Sequence, residues 1–112
     1  MQEISIIETK LTELQEIILT ELTKTFNSPF ICKKLSIKPI TFTKAVQVLT
    51  EKGMLENNTV TEKGKKMVHY LEFRNETISL FLKKNKITTT TEIISQLSKL
   101  DYKIIVALRN LI

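Results

Sequence analysis

A mainly α fold follows from three observations on the sequence. Apolar residues recur at spacings of three and four, beginning with Ile4, Ile7, Leu11, Leu14 and Ile18, the period that lines one face of a helix. The 112 residues include only two Gly and two Pro, which leaves little room for long irregular linkers. Residues 29–66, PFICKKLSIKPITFTKAVQVLTEKGMLENNTVTEKGKK, read in order as a short helix, a tight turn, a helix, a two-stranded hairpin and the start of another helix. That order is a winged helix-turn-helix with a minimal β-hairpin wing, a scaffold that sets one helix end in a DNA major groove. Residues 1–66 form this domain, and residues 67–112 a carboxy-terminal helical dimerisation region.

The apolar stripe from Ile4 to Ile18, widened by Ile17 and Leu22, predicts a first helix over roughly residues 4–24. Its three-four spacing also fits a coiled-coil seam. Ser28 as N-cap with Pro29 behind it opens a second helix, with Phe30, Ile31 and Leu35 toward the core. Cys32 reads as a small apolar residue. Ser36-Ile37-Lys38 makes a turn with Ile37 as its plug. Pro39 then restarts a helix that runs to about Lys52, with Phe42, Ala45, Val46 and Leu49 on its apolar face. Gly53 ends it in a left-handed cap.

Met54-Leu55-Glu56 and Thr59-Val60-Thr61 pair across Asn57-Asn58, two residues that tolerate positive φ. A long helix follows from Glu62 to about Lys84, buried along Met67, Leu71, Ile78 and Leu82, with Val68 and Phe81 beside them. Gly64 in its first turn implies close backbone packing, and Asn75 falls on the apolar face. After a loop over residues 83–91, Thr89 with Glu92 predicts a capping box for a short helix. Ser98 with Asp101 predicts another for the last one. Tyr102, Ile104, Ile105, Leu108, Leu111 and Ile112 make that last helix too apolar to stand in water without a partner surface.

The net charge is +5 and unevenly placed. Residues 1–27 hold two lysines and five glutamates. Residues 28–66 hold eight lysines and three glutamates, and residues 67–112 seven basic and four acidic groups. The basic excess thus begins where the helix-turn-helix begins, as a phosphate backbone would select. A lysine-rich solvated surface also accounts for it. The single Cys excludes an intramolecular disulfide and suits a reducing compartment. No apolar run reaches the ~18 residues of a membrane span. The acidic, amphipathic start lacks a secretory signal's basic and apolar blocks. The expectation is a soluble, cytoplasmic protein. An enzyme is not expected: there is one His, His69, one Cys, and no glycine-rich phosphate loop. Glu13 and Glu16 lie one turn apart and suit a shared metal or a solvated helix face equally.

The runs LSIKPITFTKAVQVLTEKGML and TVTEKGKKMVHYLEFRNETISLFLKK carry more specific features. They are the proline-opened helix with Thr43-Lys44, Val46-Gln47 and Leu49, and the step Thr61-x-Lys63-Gly64-Lys65-Lys66. The long helix that follows contains Phe73-Arg74-Asn75-Glu76. Together they resemble the iron- and manganese-dependent repressor family (the DtxR/MntR type), over about residues 11–112 and most closely over 35–82. The carboxy-terminal run EIISQLSKLDYKIIVALRNLI is similar to that family's helical dimerisation region. The resemblance implies a DNA-binding, dimeric repressor. It also implies metal ligands at a position held here by Asn75 and in a Glu-x-x-Glu-His cluster held here by Glu92, Ile93, Ile94, Ser95 and Gln96. Only Glu92 survives of those, with Glu13 and Glu16 at the places of the family's first-helix carboxylates. Oxygen ligands without imidazole hold transition metals poorly. The wing is also shorter and lacks a basic tip. The DNA scaffold is thus retained and the metal switch eroded.

The expectation is a homodimeric, metal-independent, sequence-specific regulator of transcription, a repressor that binds double-stranded DNA and needs no cofactor. Pro39, Ile40, Thr41, Thr43, Lys44 and Gln47 would read bases in the major groove. Lys33, Lys34, Lys38, Lys63, Lys65 and Lys66 would contact phosphates. Ile104, Ile105, Leu108 and Leu111 would form the dimer contact. The alternatives are a metal-responsive repressor with altered ligands, and a winged-helix interaction or DNA-segregation adaptor.

Overall fold

The computed structural model describes residues 10–88 and 90–112. Six helices and one hairpin are present among them: α1 (Glu13–Lys24), α2 (Ser28–Leu35), α3 (Pro39–Glu51), β1 (Leu55–Glu56), β2 (Thr59–Val60), α4 (Glu62–Lys84), α5 (Thr91–Ser98) and α6 (Tyr102–Leu111). The protein is mainly α with a small antiparallel sheet. It divides into two compact units between Val68 and His69, inside α4.

In the first unit, α1 does not continue the stripe back toward Leu11. Thr12 is extended and caps the helix. Its side chain accepts from the Gln15 N–H at 3.2 Å, and the Gln15 side chain accepts from the Thr12 N–H at 3.1 Å. This reciprocal box satisfies two N–H groups that a continuing helix would have used otherwise. The helix expected over residues 4–24 therefore starts at Glu13, and residues 4–9 lie outside the described chain. The expected stripe is the buried side of α1: Ile18 and Leu22 are buried and Leu14 half-buried, with Leu19 buried beside them, whereas Ile17, expected to widen the stripe, is 47% exposed.

The N-cap of α2 is Asn27, not Ser28. Its side chain accepts from the Phe30 N–H at 3.1 Å. Pro29 then sits in the first turn, where its missing N–H costs nothing. Ile31 and Cys32 are buried and Leu35 half-buried. Phe30, expected in the core, is 52% exposed, because Ile31 and Cys32 fix the inward face and turn it toward solvent.

Three helices end by one device. A residue with positive φ (Ser36 at 56°, Gly53 at 79°, Lys86 at 53°) reverses the chain. The next N–H then reaches back to a helix carbonyl: Ile37 to Cys32 at 3.0 Å, Met54 to Leu49 at 2.9 Å, and Ile87 to Leu82 at 3.0 Å. This closes otherwise open carbonyls. Gly53 pays no steric penalty there.

Lys38 is extended and Pro39 opens α3. Phe42, Ala45 and Leu49 are buried, and α3 packs on α1, α2 and β1. The hairpin pairs Leu55 with Val60 and Glu56 with Thr59. Asn57 and Asn58 turn it at φ 49° and 61°, the geometry that matches strand twist. Leu55 and Val60 are buried, and β2 packs on α1. A Cβ on Gly64 would collide with the Met54 carbonyl oxygen and lie 2.7 Å from Val60 Cγ1. The close packing expected at this glycine is present.

In the second unit, Leu71, Ile78 and Leu82 of α4 and Ile105 of α6 are buried, with Arg74 and Thr77. Asn75, expected among the buried residues, is exposed. Its Oδ1 accepts from the Arg74 guanidinium at 3.0 and 3.2 Å. The Arg109 guanidinium lies 5.4 Å over the Phe73 ring and donates to Thr77 Oγ1 at 3.4 Å and to Glu76 at 3.2 Å. Tyr70 and Tyr102 meet edge to face. Thr90 caps α5 by accepting from the Ile93 N–H at 3.2 Å. The Thr89 of the expected box lies outside the described residues. Ser98 does not cap α6. It ends α5, where its hydroxyl donates to the Ile94 carbonyl at 2.7 Å, and the N-cap of α6 is Asp101. Among the described residues no helix is long and apolar enough to cross a membrane.

Candidate nucleic-acid interface

The face of α3 opposite Phe42, Ala45 and Leu49 is built by helical spacing. Ile40, Lys44, Gln47 and Glu51 follow one another at steps of four, three and four residues, so they share one side. Thr43 lies beside them. All five are exposed, Ile40 at 61%. Pro39 is exposed at the helix start, and Thr41 is half-buried on the flank. Glu51 was not among the residues picked out from the sequence. Counting one more turn from Gln47 finds it, and it places a carboxylate at the far end of the face.

The Thr43 hydroxyl donates to the Pro39 carbonyl at 3.0 Å. Among the described residues the Gln47 and Lys44 side chains make no hydrogen bond or ion pair, so their polar groups are available to a partner. Lys38 precedes the helix and Lys33 lies in the last turn of α2; both are exposed.

The other lysines are placed differently. Lys34 Nζ donates to both carboxylate oxygens of Glu21, at 2.9 and 3.0 Å, and Glu21 is itself only 8% exposed. This hydrogen bond is the main cause holding the Glu21 carboxyl below its ordinary value. Burial opposes it, and the charges of Lys34 and Lys24 add to the lowering. Part of the Lys34 charge is therefore spent inside the unit. Lys63 Nζ donates to the Lys52 carbonyl at 2.8 Å, at the end of α3. Lys65 is exposed and lies 3.5 Å from Glu62; Lys66 is exposed. Lys33, Lys38 and Lys44 are thus the cations most open to a ligand near the α3 face. Neither Glu21 nor the Lys52 carbonyl was visible from local spacing, since both pairings join separate elements.

In the second unit, Ile104, Leu108 and Leu111 recur along one side of α6. Ile104 is 48% and Leu111 77% exposed, and Leu108 is half-buried. Ile105, expected with them, has no exposed surface. It is enclosed within this chain, so it is not available for a contact with another chain. His69 is exposed. Among the described residues no three His, Cys, Asp or Glu side chains gather into a metal-binding group.

No family model matches the chain, and no curated protein or solved structure matches it.

Proposed function

We propose that the chain is a winged helix-turn-helix protein that binds double-stranded DNA sequence-specifically, with α3 in the major groove and the β1–β2 hairpin as a minimal wing. It acts as a homodimeric transcriptional regulator, a repressor, in the cytoplasm. The observation that carries this reading is the α3 face. It sets Ile40, Thr43, Lys44 and Gln47 outward on a helix held from behind by Phe42, Ala45 and Leu49, with Lys33 and Lys38 exposed in the adjoining segments. Side chains of these types meet base edges and phosphates respectively. The Ile104, Leu108 and Leu111 stripe supports a two-fold pairing of two chains.

Fluorescence anisotropy on duplex DNA selected from a random library tests the proposal. Three open lysines per subunit, six per dimer, imply affinity falling roughly a thousandfold between 50 and 200 mM salt. EDTA should leave binding intact, and Mn²⁺ or Fe²⁺ should change it by less than about threefold. Absence of duplex binding at low salt would refute the reading. Metal-dependent tightening of tenfold or more would restore a metal-responsive repressor.

A second reading, an interaction or DNA-segregation adaptor, is favoured by the Glu51 carboxylate on the α3 face and by a hairpin tip, Asn57-Asn58, without a basic residue. It requires association with a protein that survives high salt.

A further inference from the structure

The α3 face has a chemical bias as well as a charge. Ile40, the most exposed of its apolar side chains, ends in methyl groups. The Thr43 hydroxyl proton is committed to the Pro39 carbonyl, which leaves an oxygen that can only accept, beside a methyl group. Gln47 is exposed, and among the described residues its amide has no hydrogen-bond partner, so it offers a donor and an acceptor side by side. Lys44 is the one cation on this face.

The major groove separates the bases by this chemistry. Thymine alone among the four standard bases carries a methyl group there. Adenine presents an N7 acceptor beside an N6 donor, which a carboxamide matches with two hydrogen bonds. Guanine presents two acceptors, best met by paired cationic donors. Two methyl-bearing side chains and one free amide suit thymine and adenine, the single ammonium supplies only one point of contact to guanine, and the Glu51 carboxylate, the group that suits a cytosine N4 donor, stands apart from them at the far end of the face.

We infer that α3 selects A·T base pairs in the major groove. Ile40 and Thr43 pack on thymine C5-methyl groups, and the Gln47 amide spans adenine N6 and N7. This rests on the DNA-binding reading above and names the bases that its site takes.

The test uses the full chain and three duplexes of one length and charge. The first is the duplex enriched from a random library, which should carry adjacent A·T pairs in each half-site. In the second, thymine in those pairs is replaced by deoxyuracil, which removes only the methyl. In the third, the same pairs are replaced by inosine·cytosine, which keeps an A·T-like minor groove but shows a G·C-like major groove. The deoxyuracil duplex should bind about fourfold more weakly for each contacted methyl. The inosine·cytosine duplex should bind at least tenfold more weakly. Ile40→Ala should narrow the difference between thymine and deoxyuracil, and Gln47→Ala the difference between adenine and inosine. Because both side chains are exposed, the helical circular dichroism of both variants should be unchanged. Enrichment of G·C pairs, equal affinity for thymine and deoxyuracil duplexes, or inosine·cytosine bound as well as A·T would each overturn the inference while leaving DNA binding standing. Failure to bind any duplex would instead overturn the DNA-binding reading, and this inference with it.

Discussion

Between residues 10 and 68, thirteen apolar side chains are buried, drawn from α1, α2, α3, Met54 between α3 and β1, both strands and the start of α4. Among the described residues from 69 onward there are four, Leu71, Ile78, Leu82 and Ile105, and α5 contributes none. Polar ties accompany these four among the described residues of the second unit. Arg109 reaches Phe73, Thr77 and Glu76, and Lys84 Nζ donates to the last carbonyls of α6 at 3.3 and 3.2 Å. Ties with exposed charged partners contribute little individually, whereas burial stabilises roughly in proportion to apolar area. Residues 10–68 back the α3 face with a core of their own, and among the described residues α6 leaves Ile104 and Leu111 exposed.

Leu49 has no exposed surface, so Leu49→Ala should cost about 2–5 kcal/mol by chemical denaturation. Leu97 is only half-buried, and Leu97→Ala should cost less than about 1 kcal/mol by the area it removes from water. Equal costs would mean that the two cores are equally consolidated. Next in size, Gly64→Ala should cost about 1–3 kcal/mol, because the Met54 carbonyl is backbone and cannot move aside as a side chain would. Helix propensity alone predicts a gain of about 1 kcal/mol at this position, so the sign of the measured change decides between them.

Smaller again, Leu111→Glu should change the unfolding free energy of the monomer by less than about 0.5 kcal/mol, since the side chain is already mostly in water. If the α6 stripe pairs two chains, sedimentation equilibrium should show dimer for the natural chain and monomer for the variant. A natural chain that is monomeric at micromolar concentration would remove the partner from the comparison. The smallest effect concerns acid. Glu21 has its carboxyl lowered in the folded chain, so the unfolded chain takes up that proton first as pH falls. The stability that Glu21 adds is present above the ordinary carboxylate value and is lost as pH drops through the lowered one. Glu21→Gln should flatten the acid limb of a stability–pH curve below about pH 5 and leave its alkaline side unchanged.

Where local chemistry set a boundary, the sequence showed it. Pro39 and Gly53 bracket α3, Asn57-Asn58 turn the hairpin, and the α4 limits Glu62 and Lys84 are as expected. The α3 limits and the hairpin turn depend on residue types with a restricted or permissive φ, which can be read directly along the chain. The caps were less legible. Thr12, Asn27, Thr90 and Asp101 hold the positions; Ser28 and Ser98 satisfied the same pattern without holding them. Several side chains of the right type stand near each helix start, and neighbouring elements choose among them. At the candidate site the exposed positions of α3 were readable from helical period. The commitment of Lys34 to Glu21 and of Lys63 to the Lys52 carbonyl was not, because both cross between elements that periodicity treats separately.

The segment joining α3 to α4 has a consequence for motion. Gly53 and Met54 close the α3 carbonyls, Lys63 takes the Lys52 carbonyl, and the Thr61 hydroxyl donates to the Gly53 carbonyl at 2.6 Å while accepting from the Gly64 N–H. At the other end, Lys38 gives α3 no side-chain cap. Local opening follows such asymmetry. Backbone amides late in α3 should therefore exchange with solvent more slowly than those of its first turn. The end that bears Ile40 and Thr43 is thus the less firmly tied end of α3.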